Sequence, residues 1–111
     1  MKLITADQRK RLLANHEANL EGEGGIDHKP VVKIFTAGAG ATWLLTEMDE
    51  DGIFFGLCDL GLGFPELGYV SQSEFDSLPA NMFLERDAWF TATKTLSEYA
   101  SEARGLRRIA A

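Results

Sequence analysis

The 111-residue sequence holds a single cysteine, Cys58, and only two histidines, His16 and His28. One cysteine excludes an internal disulfide, and nothing in the chain calls for an oxidising compartment. Zinc sites draw three or four ligands from His, Cys and carboxylates, usually with close-spaced pairs. One cysteine and two distant histidines give no such spacing, so no metal and no other cofactor is expected. Long apolar runs are missing too, since no stretch approaches the ~20 residues that span a bilayer. At the start, Arg9, Lys10 and Arg11 bring charge where a secretory leader needs an apolar run. No membrane contact and a cytoplasmic address follow as expectations.

Basic residues are nearly missing from the middle of the chain. Residues 42–87 hold ten acids (Glu47, Asp49, Glu50, Asp51, Asp59, Glu66, Glu74, Asp76, Glu85, Asp87) against Arg86 alone, a local charge of −9 within a total of −6. Phosphate backbones demand the opposite sign, so direct nucleic-acid binding is not expected. A protein with a basic surface is the charge-matched partner. A solvated face that aids solubility is the plainer use of the same acids. Oligomeric state is not constrained by any of this.

What is present is ordinary for a folded domain: 45% hydrophobic and 25% charged residues. A single α+β domain over 1–111 is expected, burying roughly two-thirds of the surface of its unfolded chain. Thr5 and Gln8 have capping-box spacing and open a helix over about 6–19, with Leu12, Leu13, His16 and Leu20 on one stripe. Glu21-Gly22-Glu23-Gly24-Gly25 ends it. β-branched and aromatic runs then predict an antiparallel sheet of about four strands over 31–70. Ser71 and Glu74 repeat the capping-box spacing and open a short helix over about 72–78. Residues 83–90 read as an extended segment carrying Trp89. A last helix covers about 95–104, with Gly105 as its cap and Arg107-Arg108 in a frayed tail.

The clearest unit is a hairpin over 42–60, turning at Asp49–Gly52. Centring the turn between Glu50 and Asp51 sets Trp43 against Cys58, Leu44 against Leu57 and Leu45 against Gly56. It also sets Thr46 against Phe55, Glu47 against Phe54, Met48 against Ile53 and Thr42 against Asp59. Both faces are substantially apolar, so either helices cover both sides of the sheet, the reading three expected helices favour, or one face is left for a partner. Gly56 either leaves a gap for the Trp43 indole or lets a second backbone approach.

Catalytic signals are weak. Cys58 lies between Leu57 and Asp59, and an adjacent carboxylate tends to raise a thiol pKa, so a packed core cysteine outweighs a nucleophile. Glu47, Asp59 and Glu66 are the remaining acid–base candidates. The register puts Glu47 and Asp59 on opposite faces, although a one-residue slip would reverse that. The loop Gly61-Leu62-Gly63-Phe64-Pro65-Glu66-Leu67-Gly68 has the glycines of a phosphate cradle but no Lys or Arg, and it leads into a strand rather than a helix. Phe64 and Leu67 either pack inward or form a small exposed knob.

The run from Ala41 to Glu47 and the run from Phe55 to Ser71 (Phe-Gly-Leu-Cys-Asp-Leu-Gly-Leu-Gly-Phe-Pro-Glu-Leu-Gly-Tyr-Val-Ser) resemble the bacterial family known as domain of unknown function 2958. Met1-Lys2-Leu3 and Glu85-Arg86-Asp87 fit it as well, so the resemblance spans nearly the whole chain. It implies genes carried on plasmids and other mobile elements, and it brings no activity, cofactor or catalytic residue. The expectation is a non-enzymatic protein-binding accessory factor of such elements. Its contact residues would come from Asp49, Glu50, Asp51, Phe64, Glu66 and Leu67, and one form of it is an acidic counter-defence inhibitor. The alternative is a small hydrolase or nucleotide-modifying enzyme built on Glu47, Asp59, Glu66 and Cys58.

Overall fold

Thr5 opens the first helix by the reciprocal bonds its spacing predicts. The Gln8 N–H donates to the Thr5 hydroxyl at 3.1 Å, and the Thr5 N–H donates to Gln8 Oε1 at 2.9 Å. The computed structural model describes residues 3–111, and α1 runs over Ala6–Glu21. It is followed by β1 (Val32–Thr36), β2 (Thr42–Met48), β3 (Ile53–Asp59) and β4 (Glu66–Ser71). After α2 (Gln72–Asp76) and a single 3₁₀ turn (Ala80–Met82) come β5 (Leu84–Arg86) and α3 (Leu96–Leu106). The protein is α+β with one antiparallel sheet in the order β4-β3-β2-β1-β5. The fifth strand falls within the extended segment expected at 83–90. It is three residues long and pairs Thr36 with Leu84 and Ile34 with Arg86.

Both faces of the sheet are covered, but unequally. On one face Leu12 of α1 and Phe75 of α2 pack with Ile34, Trp43, Leu45, Met48, Phe54 and Val70. The Trp43 and Phe75 rings meet edge-on with centroids 5.0 Å apart, and Phe54 meets Phe75 at 5.9 Å. On the other face Leu96, Tyr99, Ala100 and Ala103 of α3 cover Leu44 and Leu57. That single helix reaches the middle of the sheet and leaves Tyr69 of β4 exposed.

The hairpin forms as expected over half its length. Thr42–Asp59, Trp43–Cys58, Leu44–Leu57 and Leu45–Gly56 pair as the sequence predicts. Beyond Leu45 the register moves, so Glu47 pairs with Phe55 and Met48 with Phe54. The cause lies in the turn. Asp49 bonds Ile53 across three loop residues rather than two, and Gly52 adopts φ +79°. The additional loop residue is absorbed by a bulge at Thr46, one extra residue on β2. The opposite-face placement of Glu47 and Asp59 is therefore corrected: the bulge turns Glu47 to the face of Phe55, which is also the face of Asp59.

Two other expectations change. Gly105 does not cap α3; the helix continues to Leu106 and Arg107 takes the left-handed conformation at φ 60°. The tail is not frayed, because Ile109 folds back on the α3 cluster and its N–H donates to Asp59 Oδ2 at 2.9 Å.

Gly56 is required by backbone contact rather than by the indole. A Cβ there would stand 2.0 Å from the Leu44 carbonyl oxygen, whereas a Cβ at Gly68 would meet nothing within 4 Å. Gly56→Ala is expected to destabilise the fold by about 3 kcal/mol through overpacking against backbone. Gly68→Ala is expected to be neutral or to stabilise by ~0.5 kcal/mol, the usual gain on leaving glycine in a strand. Urea denaturation of the two variants checks the contrast.

Candidate functional site

Strand β3 has a turn at each end, and those turns divide the candidate residues. Asp49, Glu50 and Asp51 lie at the β2–β3 turn. Asp49 is committed to structure, since its Oδ1 accepts the N–H groups of Asp51 and Ile53, both at 2.9 Å. Glu50 and Asp51 point into solvent. The loop 60–65 lies at the other end of β3, roughly 20 Å away at ~3.4 Å per residue. The two halves of the predicted contact set are therefore separate surfaces.

The three candidate carboxylates do not meet. Glu47 stands opposite Phe55, four residues and about 13 Å along β3 from Asp59. Glu66 pairs with Cys58, on the opposite face of the sheet from Asp59. Asp59 is buried with both oxygens occupied: Oδ1 accepts the Gly61 N–H and Oδ2 the Ile109 N–H, each at 2.9 Å. It works as a fastener between the β3–β4 loop and the C-terminal tail. Among the described residues, no three His, Cys, Asp or Glu side chains gather as a metal ion would require.

Glu47 sits at the mouth of a cleft of about 670 Å³ between the end of α1, the following glycine-rich loop and the β2–β3 hairpin. Its Oε2 accepts a hydrogen bond from Asn19 Nδ2 at 2.8 Å, and its Oε1 lies 3.8 Å from His16 Nδ1. Leu20, predicted on the apolar stripe of α1, is exposed and lines this cleft with Phe55 and Tyr69. Across its rim Asp27 accepts the Ser97 N–H at 3.0 Å and the Ser97 hydroxyl, and that hydroxyl bond is the main reason its carboxyl is held below the usual range. The same bonds fasten the loop to the N-terminus of α3.

The opposite end of the sheet is apolar. Leu62 and Phe64 are 73% and 72% exposed, and Leu60 is 57% exposed. Gly61 and Gly63 alternate with them at φ +78° and +85°. The loop is held rather than loose. Asp59 fixes Gly61, and a Cβ on Gly61 would come within 3.2 Å of the Gly40 carbonyl in the β1–β2 turn. That turn is fixed in its own right, as the Ala37 and Gly38 N–H groups donate to the carbonyls of Phe83 and Met82, both at 3.0 Å. Phe83, in the left-handed region at φ 52°, adds a fourth exposed apolar side chain to this end.

Phe64 is thus an exposed knob. Leu67 lies on the outer strand β4, 40% exposed, and Glu66 is exposed at its start. Leu60, Leu62, Phe83 and the nearly fully exposed Trp89 were not among the predicted contacts. For Leu60, Leu62 and Phe64 a signal existed: large apolar residues alternating with glycines in a turn have no strand neighbour to cover them. Nothing in the sequence pointed to the pairing of Asp59 with Ile109.

Cys58 is half-buried beside Trp43, Val70, Phe75 and Leu78, with Glu74 near. Burial, with a smaller contribution from Glu74, pushes its thiol up to about 11. A thiol so placed is a poor nucleophile at neutral pH. Iodoacetamide is expected to label native Cys58 slowly at pH 7.5 and faster as the pH approaches the thiol's own range, as followed by mass spectrometry. Cys58→Ser is expected to keep the fold at a cost of about 1 kcal/mol for a partly buried hydroxyl; rapid labelling at pH 7.5 would contradict this picture.

No curated protein and no solved structure matches the chain. A model for a family described as a protein of unknown function (DUF2958) matches residues 3–110, and over that span the chain belongs to this family.

Proposed function

We propose that the protein is a non-enzymatic, protein-binding accessory factor of bacterial mobile genetic elements, working in the cytoplasm, and that it grips its partner with the apolar end of the sheet. The observation that carries this reading is the exposure of Leu60, Leu62 and Phe64 on a loop anchored by Asp59, with Phe83 exposed on a turn hydrogen-bonded to the β1–β2 turn at the same end of the sheet. Exposed apolar groups on a pre-ordered surface bind without first losing loop entropy, and aromatic side chains are frequent anchors of interfaces. Among the described residues no helix is long and apolar enough to cross a membrane, so a lipid-embedded helix does not account for these side chains.

The acidic version, a counter-defence protein filling the nucleic-acid groove of a host nuclease, has less geometric support. Glu85 and Asp87 lie on and beside β5 at one edge of the sheet, Glu66 lies on β4 at the other, and Asp59 is buried. Lys33 further offsets Asp87, with Nζ 3.6 Å from its carboxylate. The acids of β4 and those at β5 are therefore on opposite edges of the sheet and do not form one face. The enzyme alternative would have to operate from the cleft at Glu47 and His16, since Glu66 and Asp59 are elsewhere.

The test is capture from a host lysate followed by affinity measurement on the retained protein at 0.1 M and 1 M salt. Between those salts the Debye length falls from ~10 Å to ~3 Å. Phe64→Ala is expected to weaken binding by about 2 kcal/mol, the loss typical of an interface anchor, with little salt response. Steep salt dependence, with loss on Asp51→Lys and none on Phe64→Ala, would instead establish the acidic mode.

A further inference from the structure

The two edges of the sheet are finished differently. β5 is three residues long, and Arg86 at its end donates to the Leu3 carbonyl at 3.1 Å. β4 is six residues long, and among the described residues no strand pairs with its outer side. The residues that normally protect a sheet edge, such as Lys, an internal Pro or a bulge, are missing from the stretch Leu67-Gly68-Tyr69-Val70-Ser71.

Which backbone groups face outward follows from the ladder. The Gln72 N–H donates to the Gly52 carbonyl, so residues 52 and 72 bond directly across β3–β4. Alternation then directs Val70, Gly68 and Glu66 toward β3, and Leu67 and Tyr69 away from it. Among the described residues, no hydrogen bond from another element reaches the outer N–H and C=O groups of Leu67 and Tyr69. Their side chains are also on offer. Tyr69 is 74% exposed and leans on Phe55 with ring centroids 5.1 Å apart. Helix α2 packs through Phe75 on the sheet face of Trp43 and Phe54, the face opposite to that of Tyr69.

We propose that the β4 edge pairs antiparallel with the β4 edge of a second copy of this chain, with Gly68 at the two-fold axis, giving a continuous ten-stranded sheet. The strand is complementary to itself in that register. Leu67 stands opposite the partner's Tyr69, and Tyr69 opposite the partner's Leu67, so each outward N–H meets an outward carbonyl and each apolar side chain meets an apolar one. Gly68 faces its own copy, and the space above it is open. The remaining charge, Glu66, falls opposite Val70 and lies about 14 Å along the strand from its symmetry mate, so like charges are not apposed. The Phe55–Tyr69 ring pair of each copy would join across the axis. This interface is built from strand backbone and is separate from the apolar end formed by residues 60–64 and Phe83.

Sedimentation velocity over a roughly hundredfold range of concentration is expected to show a monomer–dimer equilibrium, because association follows mass action. Amide exchange should show the N–H groups of Leu67 and Tyr69 slowing as concentration rises. Tyr69→Lys, which puts two lysines beside the axis, is expected to raise the dimer dissociation constant by about tenfold or more. Leu67→Lys provides the same test from a second position should Tyr69→Lys fold poorly. Phe64→Ala is expected to leave the dimer intact, which separates this interface from the proposed partner surface. A monomer at every concentration, or a dimer unaffected by both lysine variants, would overturn the proposal.

Discussion

The approach of the Leu44 carbonyl to Gly56 is the constraint on which the rest of the sheet depends. With only a hydrogen at Gly56, β2 comes close enough that any Cβ would overlap it, and the extra residue at Thr46 follows immediately. That bulge leaves the Thr46 carbonyl without a β1 partner, because β1 begins opposite Leu45. Asn15 of α1 supplies the missing donor at 2.9 Å, and Asn19, one turn further on, reaches Glu47. The end of the first helix is thereby fastened to the hairpin by polar contacts, while its middle is held by burial of Leu12. The three-residue turn thus sets which face Glu47 occupies, and Gly56 lets β2 come close beside the bulge that this requires.

Much of this was legible in the sequence, for reasons that can be stated. Both capping boxes are short-range, and each needs only two residues at fixed spacing, so Thr5/Gln8 and Ser71/Glu74 form as expected. The pairing of Trp43 with Cys58 and Leu44 with Leu57 follows from apolar residues on both strands. The distal register was not legible, because Asp-Glu-Asp-Gly fits a two-residue or a three-residue loop, and the choice rests on Gly52 taking a positive φ. The tail was harder still. A glycine at position 105 is a strong local stop signal, yet tertiary contacts of Ile109 with the α3 cluster and with Asp59 carry the helix past it. Local preferences of a few tenths of a kcal/mol yield to even the partial burial of an aliphatic side chain, worth about 1 kcal/mol.

The candidate site was legible only in part, for the same reason. Residue type identified Phe64 and the turn acids, but the topology assigns them to opposite ends of β3. Charge counted along the chain suggested one acidic face. In the fold, the antiparallel order carries residues 85–87 to the edge furthest from Glu66, and four strand spacings of ~4.8 Å put them about 19 Å apart. Segregation in sequence therefore does not become segregation in space when the charged run crosses a meander.

Asp59 shows how the two ends differ in physical character. A buried carboxylate is tolerated when its oxygens are hydrogen-bonded, and here one oxygen holds the apolar loop while the other holds the last turn of chain. The polar interactions at this end are thus spent inward, on the backbone of the loops themselves. Leu60, Leu62, Phe64 and Phe83 face solvent there, beside the exposed Glu66 and Arg108. At the other end the arrangement is reversed, with Glu50 and Asp51 outward and Met48 and Phe54 inward. Apolar side chains held out on turns whose own polar groups are satisfied internally gain from being covered by a partner.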